Sequence, residues 1–344
     1  MKSLEINREI RIMEICGTHT MSILRSGIKQ LLPSNIKLIS GPGCPVCVTS
    51  QGYIDAAIEL SERENIIITT FGDMINTPGT NSSLKIQRAL GNDIRVVYSP
   101  LEAVNIARKN PHKEIVFLGI GFETTAPTIA LAIDKVYREK TENFSVFTAL
   151  KTMPEVIKML IKDKDVQVDG IICPGHVSTI IGEKAFSFIS NNLHIPSVIA
   201  GFEDKDVRAA IYLLVEMIRE NKCDIKNIYS SCVKYEGNKK AKDLMDKVFQ
   251  HSNSNWRGIG LIENSGLKVT KLYSAYDAEV KFGIKIENSP YLKDCICGNI
   301  LRGQKTPVDC SFFGKECTPY NPIGVCMVST EGACGIHYKY LNEV

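Results

Sequence analysis

Up to about residue 225 the chain alternates two hydrophobic patterns. Short runs rich in Ile, Val, Phe and Thr predict strands at 10–15, 36–40, 66–70, 94–98, 114–120, 145–150, 170–173 and 197–200. Between them, apolar residues recurring every three or four positions predict helices at 53–63, 100–109, 128–137, 154–162 and 204–220. Strands separated by helices of this length imply parallel sheets in an α/β fold. Eight strands exceed one sheet of average size, about 5–6 strands. The expectation is therefore two Rossmann-like α/β domains facing a cleft, residues 1–111 and 112–225, divided at the polar stretch 108–113.

Beyond residue 225 the pattern breaks. One helix is expected at 238–250, followed by a Gly-rich stretch and a tail rich in Cys, Gly and Pro. Pro307, Pro319 and Pro322, with Gly298, Gly303, Gly314 and Gly324, exclude long regular elements there. Such a segment buries little apolar surface, so a bound metal would supply its missing stability. Residues 226–344 are the expected third, C-terminal domain.

Composition narrows the function. A balance of 44% apolar and 23% charged residues is ordinary for a globular chain. The net charge of +3, without a basic block interleaved with aromatics, argues against nucleic acid. The N-terminus has no signal-peptide pattern, and no apolar run reaches the ~18–20 residues of a membrane helix. The expected location is cytoplasmic, where thiols stay reduced unless they are catalytic or ligate metal.

That makes the twelve cysteines the main clue. Six lie in the tail: Cys295, Cys297, Cys310, Cys317, Cys326 and Cys334. Their irregular spacing lacks the paired C-x-x-C knuckles of a zinc ribbon. It suits loops gathered around an iron–sulfur cluster, which takes four thiolates. Two would then remain as a redox-active pair. Structural zinc is the alternative.

Further polar motifs follow predicted strands. Gly41-Pro42-Gly43-Cys44-Pro45-Val46-Cys47 contains a C-x-x-C, either a disulfide-exchange motif or half of a soft-metal site. A thiol near a helix start has its pKa lowered by the helix dipole. A shaped turn with two inert thiols is the plain alternative. Cys16-Gly17-Thr18-His19-Thr20 offers a thiol and an imidazole as iron ligands, with hydroxyls able to bond a small anion. His19 equally suits a structural role. Gly121-Phe122-Glu123-Thr124-Thr125-Ala126-Pro127-Thr128 opens a helix, where Glu123, Thr124 and Thr125 could be simple caps. It lacks the third glycine of a dinucleotide fingerprint, because Thr occupies position 124. Cys173-Pro174-Gly175-His176-Val177-Ser178 closes the set. Ligands of open parallel sheets bind beyond the carboxyl ends of strands, where all four motifs are expected. Cys173, Cys223 and Cys232 are expected to pack in cores. The tripeptide Gly-Phe-Glu occurs at 121–123 and again at 201–203, without a convincing longer repeat.

Together, CGTHTM at 16–21, GPGCPVC at 41–47, GFETTAPT at 121–128, PGHVS at 174–178, WRGIG at 256–260 and the cysteine-rich tail resemble the HypD family of [NiFe] hydrogenase maturation proteins. The resemblance spans nearly the whole chain. It implies two α/β domains and a C-terminal [4Fe–4S] region, with family spacing C-x14-C-x6-C-x16-C selecting Cys295, Cys310, Cys317 and Cys334 as ligands. Cys297 and Cys326 are left as the redox pair. It further implies work with a HypC-type chaperone and a HypE-type cyanide donor to build the Fe(CN)2CO unit, destined for the hydrogenase large subunit. On that pattern Cys16 ligates the iron being decorated, Cys44 and Cys47 act beside it, and the cluster supplies electrons for cyanide release. Thr18, His19, Thr124, Thr125 and His176 would line the cyanide pocket. The rival readings are an iron–sulfur thiol–disulfide oxidoreductase acting through Cys44 and Cys47, and a zinc-stabilised binding module.

Overall fold

The structure, a computed structural model, describes residues 8–287 and 295–341. In chain order the strands are β1 (Ile10–Glu14), β2 (Ile36–Ser40), β3 (Ile66–Thr70), β4 (Ile94–Val96), β5 (Glu114–Gly121) and β6 (Phe144–Leu150). They continue with β7 (Gly170–Cys173), β8 (Ser197–Ile199), β9 (Ile225–Asn227), β10 (Phe249–Trp256) and β11 (Gly260–Val269). Two parallel sheets form, of orders β2-β1-β7-β8-β9 and β4-β3-β5-β6, with a separate antiparallel hairpin β10-β11. Among the described residues, no helix is long and apolar enough to cross a membrane.

The first compact unit comprises Met1–Cys47, Pro154–Lys239 and Asp294–Val344. Its five-stranded sheet is buried at the centre. All four residues of β7 are buried, the signature of a strand covered on both faces, whereas edge strand β2 is only partly buried, with Lys37 exposed. Ile10, Ile12, Ile172 and Val198 meet Val207, Ile211 and Leu214 of the helix Asp204–Arg219. Each such buried aliphatic side chain contributes ~1.5–3 kcal/mol. That helix starts at a reciprocal cap, in which Glu203 and Asp206 each accept from the other's backbone N–H. The tail belongs to this unit, and its helix Ala333–Leu341 packs against the helix Gly17–Arg25.

The second unit comprises Val48–Met153 and Lys240–Lys293. Its central strand β5 is buried from Ile115 to Gly121, as the continuous apolar run predicts. The helix Ala126–Glu139 carries Pro127 in its first turn and buries Ala126, Ile129, Ala130, Ile133 and Val136 on one stripe. The hairpin joins this unit through a bridge between Lys151 and Gly266. WRGIG at 256–260 is the turn of that hairpin, and Arg257 secures it by donating to Thr49 O (2.9 Å) and Gln51 Oε1 (2.6 Å).

Both expected parallel sheets are present, but the boundaries at 111 and 225 do not coincide with the units. Residue 111 falls between a helix and β5 inside the second unit, because β1 pairs with β7 across the whole excursion through β3–β6. The helix expected at 238–250 is Lys239–Val248, and the residues after it form β10.

Candidate functional site

The chemistry concentrates at the carboxyl end of the first unit's sheet. β1 stops at Glu14, and the chain turns at Cys16, whose extended backbone starts the helix Gly17–Arg25. Glu14 is fully buried and organises the turn: Cys16 N–H donates to its Oε2 at 3.2 Å, and the Thr20 hydroxyl donates to its Oε1. Burial pushes the Glu14 carboxyl up to about 8, against the hydrogen bonds from Thr20, Ser40 and Cys16.

Burial also pushes the Cys16 thiol up to about 12, helped by the charges of Glu331 and Glu14. Cys16 is therefore a protonated thiol at neutral pH. His176, in the first turn of the helix Gly175–Ile181, places Nδ1 4.0 Å from Cys16 Sγ. Loss of water holds its imidazole below the ordinary value, although the residue is exposed. His19 is fully buried and driven down to about 4 by burial, so it too is neutral. Its Nε2 lies 3.0 Å from Gly201 O; a carbonyl only accepts, so Nε2 carries the proton. Its Nδ1 is buried without a hydrogen-bond partner.

Phe202 connects the two imidazoles. Its ring stacks on His19 at 4.6 Å and on His176 at 4.0 Å between centroids. Two further contacts close the loop. The Thr18 hydroxyl donates to Glu331 Oε1 of the tail at 3.4 Å. Gly43, in the loop after β2, lies so close that a Cβ there would meet Cys16 Cα at 2.6 Å. That loop brings Cys44 and Cys47, joined as a disulfide and both buried. The lowered thiol pKa expected for this motif therefore does not apply, since neither sulfur carries a proton.

In the tail, Cys297 opens the short helix Cys297–Leu301, Cys310 follows the turn Pro307–Asp309, Cys326 sits in the turn Val325–Met327, and Cys334 lies in the last helix. Cys317 Sγ accepts from Ile323 N–H at 3.4 Å. Cys295 is half-buried against Gly324, where a Cβ would stand 2.7 Å from its sulfur. Burial raises the Cys334 thiol, and the charges of Cys297, Cys295, Cys317 and Cys310 then raise it further. Five thiols thus share one neighbourhood. Among the described residues, no three His, Cys, Asp or Glu form a group able to hold one metal ion. A cuboidal cluster takes four thiolates, and this neighbourhood supplies that number.

A family model described as HypD, "Hydrogenase formation hypA family", matches residues 1–341. This chain belongs to the HypD family. It is 44% identical over 341 residues to "Hydrogenase maturation factor HypD2" of Bradyrhizobium diazoefficiens, covering 96% of this chain and 89% of that protein. It is 43% identical over 338 residues to "Hydrogenase maturation factor HypD" of Rhodobacter capsulatus, covering 97% and 90%. A third HypD, from Cupriavidus necator, is 41% identical over 336 residues, covering 95% of this chain and 89% of the relative.

Within this HypD-family chain, the first unit brings together Cys16, Thr18, His19 and His176, with the Cys44–Cys47 loop against Cys16. Glu123, Thr124 and Thr125 belong to the second unit. Glu123 is buried, and its carboxyl is pushed up to about 7 by burial. Its Oε1 accepts from Met153 N–H at 2.9 Å, while Oε2 has no hydrogen-bond partner. Thr125 makes no side-chain cap to its helix, and Thr124 is exposed. Cys173 packs in the core as expected, with its thiol raised to about 12 by burial, but Cys223 and Cys232 are exposed. Glu14, Phe202 and Glu331 escaped sequence reasoning. The recurrence of Gly-Phe-Glu was the one available signal for Phe202.

Proposed function

We propose that this chain is a hydrogenase maturation factor that works as a redox-active scaffold for the Fe(CN)2CO unit. In this reading it works in the cytoplasm with a HypC-type chaperone and a HypE-type cyanide donor. Support comes from family membership over residues 1–341 and from the names of its relatives. The observation that carries the site assignment is the packing of a five-thiol neighbourhood and the Cys16–His176 pair into one compact unit.

The incoming iron is the substrate, and Cys16 is its ligand. A thiol raised to about 12 must lose its proton to bind a cation, and His176 Nδ1 at 4.0 Å is a neutral base placed to accept it. The charge of Glu331, which disfavours a lone thiolate, favours the same thiolate once a cation sits on it. His19, Thr18 and His176 line this loop as candidates for holding cyanide; Thr124 and Thr125, which the family pattern also gives that role, belong to the second unit. The Cys44–Cys47 disulfide would become a dithiol by accepting two electrons from an external electron-donor protein and two protons from solvent. Cys295, Cys310, Cys317 and Cys334 hold the [4Fe–4S] group, with Cys297 and Cys326 as the accessory pair. When bound, that group supplies the electrons for cyanide release. Burial of both Cys44 and Cys47 disfavours the alternative in which they attack a partner protein's disulfide.

Two variants test the assignment in a maturation assay. Cys16→Ala should abolish maturation while the brown colour of the purified protein persists. Cys310→Ala should lose both. Normal maturation by Cys16→Ala would remove the scaffold role given to that thiol.

A further inference from the structure

Lys151 lies immediately after β6 and is 2% exposed. Its Nζ donates to Ser254 Oγ at 2.8 Å and Asn255 O at 2.9 Å, both uncharged. It also sits 5.3 Å from the centroid of the Trp256 ring. Burial drives the amine down to about 7, so its charge is poised near neutral pH.

The same lysine lines a cavity of about 240 Å³. This is much larger than the ~30 Å³ share of a water molecule and below the ~300–1,000 Å³ of sites for drug-sized ligands. Two other charged residues are on the wall, Lys268 and Glu279, and they face each other at 3.6 Å. The Tyr53 hydroxyl is committed to Phe147 O at 2.7 Å. Among the described lining residues, Lys151 is thus the uncompensated positive charge. Leu267 and Ile286 add an apolar wall beside it. The position, past the carboxyl end of a parallel strand, is where such sheets collect ligands.

We propose that this cavity binds a small organic monoanion of the short-chain carboxylate class, with the Lys151 ammonium as its counter-charge. One uncompensated charge selects a monoanion, and the apolar wall accommodates a short alkyl chain. Binding takes up a proton, because the anion stabilises the ammonium form.

Trp256 is the only tryptophan in the chain and reports directly on Nζ. The test titrates the full-length protein with sodium butyrate at constant ionic strength and follows tryptophan emission. The expected result is a saturable change at pH 6.5, with affinity at least about tenfold weaker at pH 8.5, where the ammonium fraction is small. Lys151→Met should remove the change. Glu279→Gln, at a partly exposed position, frees Lys268 and should tighten binding about threefold. The proposal is overturned by no saturable change at either pH, by affinity independent of pH, or by equal binding in Lys151→Met. An identical response to inorganic phosphate would reduce the effect to screening and overturn it as well. If Lys151→Met does not fold, the Glu279→Gln affinity decides: unchanged or weaker binding contradicts the proposal.

Discussion

Two loops of this protein begin alike and finish differently. After β1 and after β5, a buried parallel strand leads into a helix, with a buried glutamate and threonines around the junction. In the first, both oxygens of Glu14 are used, by Cys16 N–H and the Thr20 hydroxyl. Phe202, His176 and Glu331 then complete the loop from other parts of the same unit. In the second, Glu123 uses one oxygen and leaves the other buried without a partner. The difference separates a glutamate whose two oxygens are both committed from one with unspent bonding capacity. Preorganisation belongs where a ligand must be held in one geometry.

Substitutions can break or sharpen this contrast. The largest effect is expected at the first loop's base: His176→Ala should slow maturation by ~10²–10⁴-fold, the usual range for a lost proton acceptor. Retention of iron–sulfur colour would show that the tail is untouched. Next come the two glutamates. Glu14→Gln leaves one oxygen for two donors and should cost about 1–3 kcal/mol in denaturant unfolding, whereas Glu123→Gln should cost less than about 1 kcal/mol.

The Glu14 effect also carries a pH signature. Its folded carboxyl, at about 8, lies above the ordinary 4.5, so the folded state binds its proton more tightly. That contribution is complete below pH 4.5 and is lost as pH rises through about 8. Wild-type stability should therefore fall relative to Glu14→Gln across that window. The smallest effect is expected at exposed Thr124, where Thr124→Ala should change stability by less than about 0.5 kcal/mol. A maturation defect there would then be chemical and not a folding loss.

The sequence disclosed the sheets more readily than their grouping. Strands such as β5 and β7 are continuous apolar runs, and these stand out because both faces are covered. β10 is different: Gln250–Asn255 is polar, its outer face is exposed, and its pairing shifts between Ser252 and Ser254. No hydrophobic period marks such a strand. The division into units was hidden for another reason, since the β1–β7 pairing joins residues about 160 apart and leaves no local trace. At the site, Cys16, His19, Cys44, Cys47 and His176 were legible because thiols and imidazoles at strand ends announce chemistry. Phe202 and Glu331 act through contacts with residues far away in sequence, which no spacing encodes. Phe122, in the other Gly-Phe-Glu, stacks on Trp256 at 5.9 Å, so the tripeptide places a ring after a strand in both units. In the tail, spacing led to four thiols plus two, while the choice of four came from the family pattern alone.

The central claim is that the tail thiols hold an iron–sulfur cluster distinct from the iron ligand Cys16. The direct test is iron and acid-labile sulfide per chain, with the visible spectrum, on anaerobically purified wild type and Cys16→Ala. About four irons and four sulfides in both, with the same broad brown absorbance, is the predicted result. A colourless protein carrying about one zinc per chain, or loss of the cluster in Cys16→Ala, would contradict it.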